Sequence, residues 1–318
     1  MKVLVTGAAG FIGSHLVESL LADGHAVVGL DNFDPFYDRR AKEANLGPAR
    51  ARKAFAFVEA DIRDFEALAG FFRGHGSFDA VVHLAAKAGV RPSIAEPRVY
   101  AEVNIVGTLN VLDLAARADP APRFIFGSSS SVYGNNPKVP FSEADSVDHP
   151  ISPYAATKKA GELLGYTYHH LYGLPLWCLR FFTVYGPRQR PDLAIHKFTR
   201  RILAGDPIER YGDGTSYRDY TYIDDIVFGV RRAIERCQGY EVINLGSKHP
   251  VTLNEVIDVV ARACGREPAV KVLPAQPGDV ERTFADVAKA ERLLGCQPPM
   301  PFQEGVRQFV EWYRRGRE

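Results

Sequence analysis

The chain has few cysteines and no spacing typical of a metal site. The four cysteines are Cys178, Cys237, Cys264 and Cys296. They are far apart and form no CxxC pair, which is not the pattern of a disulfide framework or a zinc finger. We therefore expect reduced, mostly buried thiols in a cytoplasmic protein. His169 and His170 lack HExxH spacing, so we expect no metal.

Excess charge and long apolar runs are also missing. The formal net charge is +1, from 39 basic and 38 acidic residues. Nucleic-acid and membrane surfaces normally need a concentrated basic patch, so we expect neither partner. We also expect no membrane-spanning helix, because the apolar runs are short of the length that a bilayer requires. A small anionic ligand stays possible, because a few arginines in a cleft do not need net charge.

The first half of the chain alternates apolar strands with amphipathic helices. We predict strands at 2–6, 26–30, 54–59, 80–84, 123–127 and 176–180, and helices at 11–23, 64–72, 99–118 and 154–171. Continuous apolar runs are typical of parallel strands covered on both faces. Repeated strand–helix alternation predicts an α/β fold with a Rossmann-type doubly wound parallel sheet.

After Gly186 the chain is richer in Pro, Gly, Arg and Asp, and it contains no repeat or flexible linker. A helix at 223–236 and a strand at 242–245 indicate that the chain returns to the main sheet. We predict a Rossmann domain of residues 1–180 plus about 222–248. A smaller α/β substrate-binding domain would then comprise 181–221 and about 249–318, since 318 residues exceed one ordinary domain.

A glycine-rich turn, TGAAGFIG, follows the first strand at residues 6–13. Such a turn before a helix lets the backbone approach a pyrophosphate, to which the helix N-terminus adds oriented N–H groups. The GxxGxxG spacing alone could also be a plain tight turn. Its strand–turn–helix context favours cofactor binding.

Asp31 ends the second strand, about where a ribose-binding acid should fall. Its carboxylate would accept hydrogen bonds from the ribose hydroxyls and repel a 2′-phosphate, which favours NAD over NADP. Arg39 and Arg40 are close enough in sequence to weaken that preference. Asp61 and Ile62 follow the third strand and would suit the adenine edge, although a solvated strand end explains them equally well.

Two further segments suggest catalysis. Tyr154 and Lys158 stand four residues apart at the start of a predicted helix and share one face. An ammonium near a phenol lowers the phenol's pKa from about 10 toward neutrality, although YxxxK also occurs by chance. The segment FGSSSSVYG at 126–134 follows a parallel strand, where ligands bind, or it is simply a polar loop.

Together these features resemble extended short-chain dehydrogenases/reductases over essentially the whole chain. The resemblance rests on the glycine loop, Asp31, HLAA at 83–86, Ser129, Tyr154 and Lys158. It implies a catalytic triad of Ser129, Tyr154 and Lys158 and a permanently bound NAD. It implies cofactor contacts from Gly7, Gly10, Phe11, Ile12, Gly13, Asp31, Asn32, Asp61, Ile62, Leu84, Ala85, Ala86, Lys87, Asn104, Tyr154 and Lys158. Many relatives have Gln where Lys87 stands, so Lys87 either touches the cofactor diphosphate or is a tolerated change.

The second half resembles the nucleotide-sugar-binding segments of UDP-sugar epimerases. The matching segments are LRFFTVYGPRQRP at 179–191, YGDGTSYRDY at 211–220 and QPGDV at 276–280. The resemblance implies substrate contacts from Ser129, Ser130, Ser131, Thr183, Arg190, Arg218 and Asp279. Arginines suit a diphosphate because each pairs with two oxygens at once, although Arg218 could also be merely solvated.

The sequences of residues 181–191 and of DNFDPFYD at 31–38 are most similar to the corresponding segments of UDP-glucuronate 4-epimerases. A sugar carboxylate would benefit from Arg190, unless Arg190 pairs only with Asp192. UDP-glucose and UDP-N-acetylglucosamine 4-epimerases are alternatives, with Asn often where Thr183 stands. Dehydratases and decarboxylases would place acids at Ser130 or Ser131, and a non-catalytic NAD-binding regulator would often have a broken triad. The resemblance also implies a homodimer that pairs helices 99–118 and 154–171.

Overall fold

A computed structural model of the chain describes residues 1–274, 280, 282–295 and 299–316. Asp279 and Cys296, both named above, lie outside the described residues. The strands are β1 Lys2–Thr6, β2 Ala26–Asp31, β3 Phe55–Glu59, β4 Ala80–His83, β5 Arg123–Ser129, β6 Leu176–Phe181, β7 Thr183–Tyr185, β8 Ile208–Tyr211, β9 Tyr217–Tyr222, β10 Tyr240–Leu245, β11 Pro250–Thr252 and β12 Val270–Leu273.

The helices alternate with these strands. They are α1 Phe11–Ala22, α2 Arg39–Arg50, α3 Phe65–His75, α4 Val90–Ala95, α5 Pro97–Ala101, α6 Thr108–Ala116, α7 Pro153–Tyr172, α8 Ala194–Ala204, α9 Ile223–Arg236, α10 Leu253–Cys264, α11 Ala288–Leu294 and α12 Phe302–Arg315. A π-helix, Glu102–Gly107, joins α5 to α6, and a 3₁₀ turn, Ser130–Tyr133, follows β5.

Seven parallel strands form the main sheet in the order β10-β6-β5-β4-β1-β2-β3. The chain order reverses between β1 and β4, and ligands of doubly wound sheets bind at the carboxyl ends of the strands at such a switch point. The predicted Rossmann-type sheet is confirmed. So is the return of the chain to the sheet, because β10 pairs with β6.

Both faces of the sheet are covered, which explains why its strands read as continuous apolar runs. Val3 and Val5 of β1 pack in the cluster that contains α1 and α9, whereas Leu4 packs in the cluster that contains α6. All three side chains are fully buried. Successive residues of a strand point to opposite faces, so each face needs its own apolar layer.

Smaller sheets and helices lie beyond β6. Strands β11, β9 and β7 form a three-stranded sheet, and β12 pairs with β8 in parallel. Helix α10 packs against both α8 and α12. These elements form a smaller α/β part beside the main sheet. The boundaries given above, 1–180 with 222–248 against 181–221 with 249–318, stay a prediction.

The region 97–116 differs from the single helix expected at 99–118. The π-helix interrupts it, and α6 ends at Ala116. At Gly107 of the π-helix a Cβ atom would lie 2.6 Å from the Ile62 side chain, so the wide turn fits closely against the third strand's loop. By length and composition alone this region could cross a bilayer, contrary to the expectation above. In this fold it packs against α3 and α7.

The cysteines follow the expectation where they can be seen. Cys178, Cys237 and Cys264 are unpaired and buried. Burial raises the pKa of Cys237 to about 12 and that of Cys264 to about 11, so both thiols stay protonated. Across the described residues, His, Cys, Asp and Glu form no group of three that could hold a metal ion.

Candidate active site

The glycine loop lies between β1 and α1, with Gly10 as the N-cap of α1. Gly7 has a φ of +72°, and a Cβ there would lie 2.8 Å from the Ala85 backbone nitrogen. A Cβ on Gly13 would lie 2.1 Å from the Gly7 carbonyl oxygen. Only glycine therefore permits this close packing of loop, helix and β4. The free N–H groups of the first turn of α1 suit an anion.

Asp31 ends β2 and is buried beside this loop. One carboxylate oxygen accepts the Ala9 N–H at 3.1 Å, and the other accepts the Phe33 N–H at 2.8 Å. Burial raises the pKa of Asp31 despite these bonds. Each oxygen keeps a second acceptor direction, so Asp31 can bind a ribose while it also fixes the glycine loop. The sequence did not predict this second contact.

Asp61 and Ile62 separate in the structure. Ile62 lines the cavity that is bordered by the glycine loop, which we call the first cavity, but Asp61 does not. Both Asp61 carboxylate oxygens accept hydrogen bonds from the Arg63 side chain, and the Asn32 amide donates at 2.9 Å. Arg63 lowers the pKa of Asp61 to about 2. Asp61 therefore contacts the cavity only through Asn32.

Ser129, Tyr154 and Lys158 meet where β5 ends and α7 begins. Lys158 donates from Nζ to the Gly127 carbonyl at 2.7 Å, and burial lowers its pKa to about 8. Burial raises the pKa of Tyr154, while a hydrogen bond with Ser129 and the charge of Arg190 lower it. We expected Lys158 to provide that charge. In this structure it is Arg190 that does so, while Lys158 binds a backbone carbonyl.

Asn104 lies outside the first cavity and bonds to residues next to the Ser129–Tyr154–Lys158 group. Its side chain bonds the Lys87 backbone in both directions, at 2.8 and 3.0 Å, and donates to the Thr157 hydroxyl at 3.0 Å. Thr157 donates in turn to the Tyr154 carbonyl at 2.8 Å. The π-helix that carries Asn104 thus ties the loop after β4 to the first turn of α7.

The Lys87 side chain extends toward the segment between β2 and α2. Its Nζ lies 2.9 Å from an Asp34 carboxylate oxygen, and both side chains are mostly buried. Lys42 donates to the Asp34 carbonyl, also at 2.9 Å. Lys87, Asp34 and Lys42 all line the same cavity. Lys87 therefore holds the 32–38 segment against this cavity. The sequence alone did not decide this role of Lys87.

A buried ion pair stands behind the serine segment. Both Glu162 oxygens accept hydrogen bonds from Arg180 at 2.8 Å, and each side chain is 2% exposed. The Ser128 hydroxyl donates to the same carboxylate at 2.7 Å. We missed this network, although an arginine within an apolar parallel strand signals a buried partner. It joins α7, which carries Tyr154, to the end of β5.

Arg190 and Thr183 lie on the wall shared by two cavities. The Arg190 guanidinium donates from Nε and Nη2 to the Asp192 carboxylate at 3.1 and 3.0 Å, as the simpler alternative anticipated. It also lies 5.4 Å from the centroid of the Phe36 ring. Arg218 lines the second cavity and donates to the backbone carbonyls of Tyr217 and Val280.

The turn before Arg190 is held by the cofactor helix α1. Arg188 adopts a left-handed backbone with φ 65°. Its side chain pairs with Glu18 at 2.7 Å and donates to the Ser14 hydroxyl at 3.3 Å. The His15 ring contacts the Pro187 carbonyl at 3.0 Å, and burial lowers the pKa of His15 to about 4.

The two cavities have volumes of about 470 and 1040 Å³. Asn104 and Asp61 stand behind the first cavity, and Arg218 lines only the second. The remaining predicted residues in the described part line the first cavity: Gly7, Gly10, Phe11, Ile12, Gly13, Asp31, Asn32, Ile62, Leu84, Ala85, Ala86, Lys87, Ser129, Ser130, Ser131, Tyr154, Lys158, Thr183 and Arg190. Asp279 lies outside the described residues.

Comparison with known proteins agrees with this arrangement. Residues 4–309 match the family model described as GDP-mannose 4,6 dehydratase. The chain is 45% identical to a UDP-glucuronate 4-epimerase of Thermodesulfobacterium geofontis, over 99% of this chain and 97% of that relative.

Two solved structures are similar throughout. One is the UDP-glucuronic acid 4-epimerase of Bacillus cereus in complex with UDP-glucuronic acid and NAD. It is 37% identical, with a TM-score of 0.90 and 99% of each chain covered. The other is the UDP-glucose 4-epimerase of Thermotoga maritima with UDP-glucose, 36% identical, with a TM-score of 0.90 and both chains fully covered. The chain therefore belongs to the extended short-chain dehydrogenase/reductase family of nucleotide-sugar epimerases and dehydratases.

Proposed function

We propose that this protein is an NAD-dependent 4-epimerase that interconverts UDP-glucuronate and UDP-galacturonate through a 4-keto sugar. The observation that carries the proposal is one cavity lined by Tyr154, Lys158, the serine segment and Arg190. A base, a hydroxyl relay and a cation for a carboxylate thus face the same space. Relatives and solved structures of the same activity support it over nearly the whole chain.

NAD fits the residues of the first cavity. Gly7 and Gly13 pack against the protein's own backbone without room for a Cβ, and this packing fixes the turn whose N–H groups would bind the pyrophosphate. Asp31 would accept hydrogen bonds from the adenosine ribose, and Ile62 and Leu84 would flank the rings. The chemistry that NAD supplies when bound is reversible acceptance of a hydride from carbon 4 of the sugar.

Tyr154 would move the proton. It removes the proton from the 4-hydroxyl as that carbon is oxidised, and returns it to the oxygen when the opposite face is reduced. Ser129 bonds with Tyr154 and would hold the reacting oxygen beside it. Lys158 would contact the cofactor ribose with its buried ammonium. No net oxidation results, because carbon 4 loses and regains one hydride in each turnover.

Uronate recognition would come from the other wall of the cavity. Arg190 supplies a cation, and Thr183 and Ser131 supply hydroxyls within the same cavity. Arg218 would bind the diphosphate in the larger second cavity, and the sequence resemblance assigns Asp279 to the nucleotide as well. Ser130 and Ser131 stand where dehydratases and decarboxylases have acids, so elimination and decarboxylation lack a proton-handling group. A neutral UDP-hexose is the second candidate, since Arg190 already has Asp192 as a partner.

A panel of UDP-sugars tests the proposal. Purified protein should interconvert UDP-glucuronate and UDP-galacturonate without added NAD, because the cofactor co-purifies. UDP-glucose, UDP-N-acetylglucosamine and their 4-epimers serve as competing substrates. Release of carbon dioxide or of a free 4-keto product as the main outcome would contradict the proposal, and faster turnover of neutral sugars would favour the second candidate.

We also propose that the protein is a cytoplasmic homodimer. Val106 and Leu109, on one helical region, and Leu163 and Tyr166, on α7, are large apolar side chains that are 37–57% exposed. They recur at intervals of three residues on two helices that pack together, as a four-helix interface between two copies requires. Light scattering at micromolar concentration should give twice the chain mass of 35.2 kDa, and a strictly monomeric species would contradict this.

A further inference from the structure

The contacts of Arg190 hold its guanidinium on one edge and one face. Nε and Nη2 point to the two oxygens of Asp192, and the Phe36 ring lies 5.4 Å from the guanidinium carbon. The Arg190 and Asp192 side chains are 19% and 34% exposed, so solvent screens the pair only in part. Among the described residues Nη1 makes no hydrogen bond. Of the five N–H groups, two on Nη1 and one on Nη2 therefore remain for a ligand in the shared wall of the two cavities.

The proposed reaction makes a particular demand on this arginine. The 4-keto sugar must turn over within the site so that the opposite face of carbon 4 meets the hydride donor. The carboxylate on carbon 5 moves with the ring, so any bond that it makes to Arg190 must break and form again in each turnover. A guanidinium with its full charge and both edges free binds a carboxylate tightly and releases it slowly. A guanidinium whose Nε/Nη2 edge is already paired with a carboxylate, which also offsets its charge, binds a second carboxylate more weakly.

We propose that Asp192 is a positioning residue that weakens the binding of the sugar carboxylate by Arg190. The carboxylate is then bound, but it is released when the 4-keto sugar turns. Asp192 occupies two donors and offsets part of the positive charge, and Phe36 keeps the plane of the guanidinium constant. This inference rests on the proposed function, because a neutral sugar has no carboxylate for Arg190 to release.

Binding without turnover tests the first half of the idea. In a Tyr154→Phe background, Asp192→Asn should tighten binding of UDP-glucuronate by about tenfold, since a competing charged hydrogen-bond partner is lost. Binding of UDP-glucose should stay within about twofold, because its uncharged sugar makes no such bond. Titration calorimetry of both ligands on both proteins, with bound NAD measured in each, gives the comparison.

Turnover tests the second half. With Tyr154 intact, Asp192→Asn should lower both KM and kcat for UDP-glucuronate, kcat by about tenfold if release of the charged contact limits turning. Quenching with borodeuteride and mass spectrometry should reveal more trapped 4-keto sugar than in the wild type. Asp192→Glu, which keeps the charge, should restore kcat in part.

A matched control separates these effects from general loss of an ion pair. Glu304 makes a similar bidentate pair with Arg307 on α12, which is not among the residues that line either cavity. Glu304→Gln should leave KM, kcat and trapped 4-keto sugar unchanged. The thermal midpoints of all variants show whether each one is folded.

Two results would overturn the inference and one would overturn its basis. If Asp192→Asn weakens binding of UDP-glucuronate, Asp192 strengthens the grip of Arg190 rather than limiting it. If it lowers kcat equally for UDP-glucuronate and UDP-glucose, its role is structural. If the wild type does not epimerise UDP-glucuronate at all, the proposed function fails, and that result is visible before any variant is made.

Discussion

The cofactor and sugar sides of the site are built in different ways. The cofactor side is made mainly of backbone: glycines without room for a Cβ, a helix N-terminus, and Asp31 bonded to two N–H groups. The sugar side is made of long charged and aromatic side chains, with Arg190 between Asp192 and Phe36 and Arg218 against two carbonyls. The first comes from short contiguous motifs, whereas the second comes from distant segments.

This difference has a physical meaning. A backbone cradle admits one ligand shape and tolerates little substitution, which suits a cofactor that stays bound. Side-chain pairs can be exchanged one at a time, which suits a pocket that distinguishes related sugars. We therefore expect changes on the catalytic and cofactor side to act on every substrate alike, and changes on the sugar side to separate substrates.

The largest expected effect is at the base. Tyr154→Phe should lower kcat by roughly a hundredfold to ten-thousandfold for UDP-glucuronate and UDP-glucose alike, because the proton acceptor is lost. The protein should stay folded and retain its cofactor, since the phenyl ring keeps the packing. Steady-state kinetics and the bound NAD content test both points. Near-normal activity would show that the triad assignment is wrong.

Arg190→Ala should separate the substrates. It removes a charged contact worth about 1.5–3 kcal/mol, so kcat/KM for UDP-glucuronate should fall by about one to two orders of magnitude. For UDP-glucose the loss should be clearly smaller, because only the effect of the Arg190 charge on the Tyr154 pKa is lost. Arg218→Ala is the matched comparison and should weaken all UDP-sugars equally, because all share the diphosphate. An equal loss on both sugars for Arg190→Ala would remove the preference for glucuronate and leave the epimerase assignment intact.

The pH dependence should report on Lys158. Its pKa is lowered to about 8, so the ammonium is lost as the pH rises through 8, whereas in the unfolded chain it persists to higher pH. Burial favours the neutral form, so the fold gains stability over that interval while activity falls by about tenfold per pH unit. Lys158→Arg, which stays charged, should give a flatter alkaline limb. A wild-type profile that is flat above pH 8 would contradict the role of the ammonium.

The smallest effect is expected at Lys87. Lys87→Gln breaks its ion pair with Asp34 and loosens the 32–38 segment beside the first cavity. Partly exposed pairs contribute at most about 1 kcal/mol, so loss of bound NAD on dialysis should accelerate by no more than about fivefold. Asp34→Asn should accelerate the loss of NAD to the same extent. The double variant Lys87→Asp with Asp34→Lys, which exchanges the two charges, should restore retention of NAD. Unchanged retention in both single variants would mean that the pair does not hold the cofactor.

The sequence predicted the cofactor side more completely than the sugar side. The glycine loop, the six first strands of the main sheet and the pairing of β10 with β6 all follow from local periodicity and motif order. The Lys87–Asp34 and Glu162–Arg180 pairs do not, and the Arg190–Asp192 pair was foreseen only as an alternative without its geometry. These contacts depend on side-chain direction, and the first two join residues far apart in the chain. The π-helix at Glu102–Gly107 was also not predicted, because its residues are equally compatible with an α-helix.

The contacts between Arg188 and helix α1 affect which parts of the molecule unfold together. The turn at 186–190 lies beyond β6 in the chain, yet its anchors, Glu18 and Ser14, belong to the first βα unit. Packed segments often open as one cooperative unit, and we expect this of a turn that is anchored on a helix. Amide protons of this turn should therefore exchange at the pace of α1 and not of the helices α8 and α10. Arg190 would then stay in place for as long as the first βα unit stays closed.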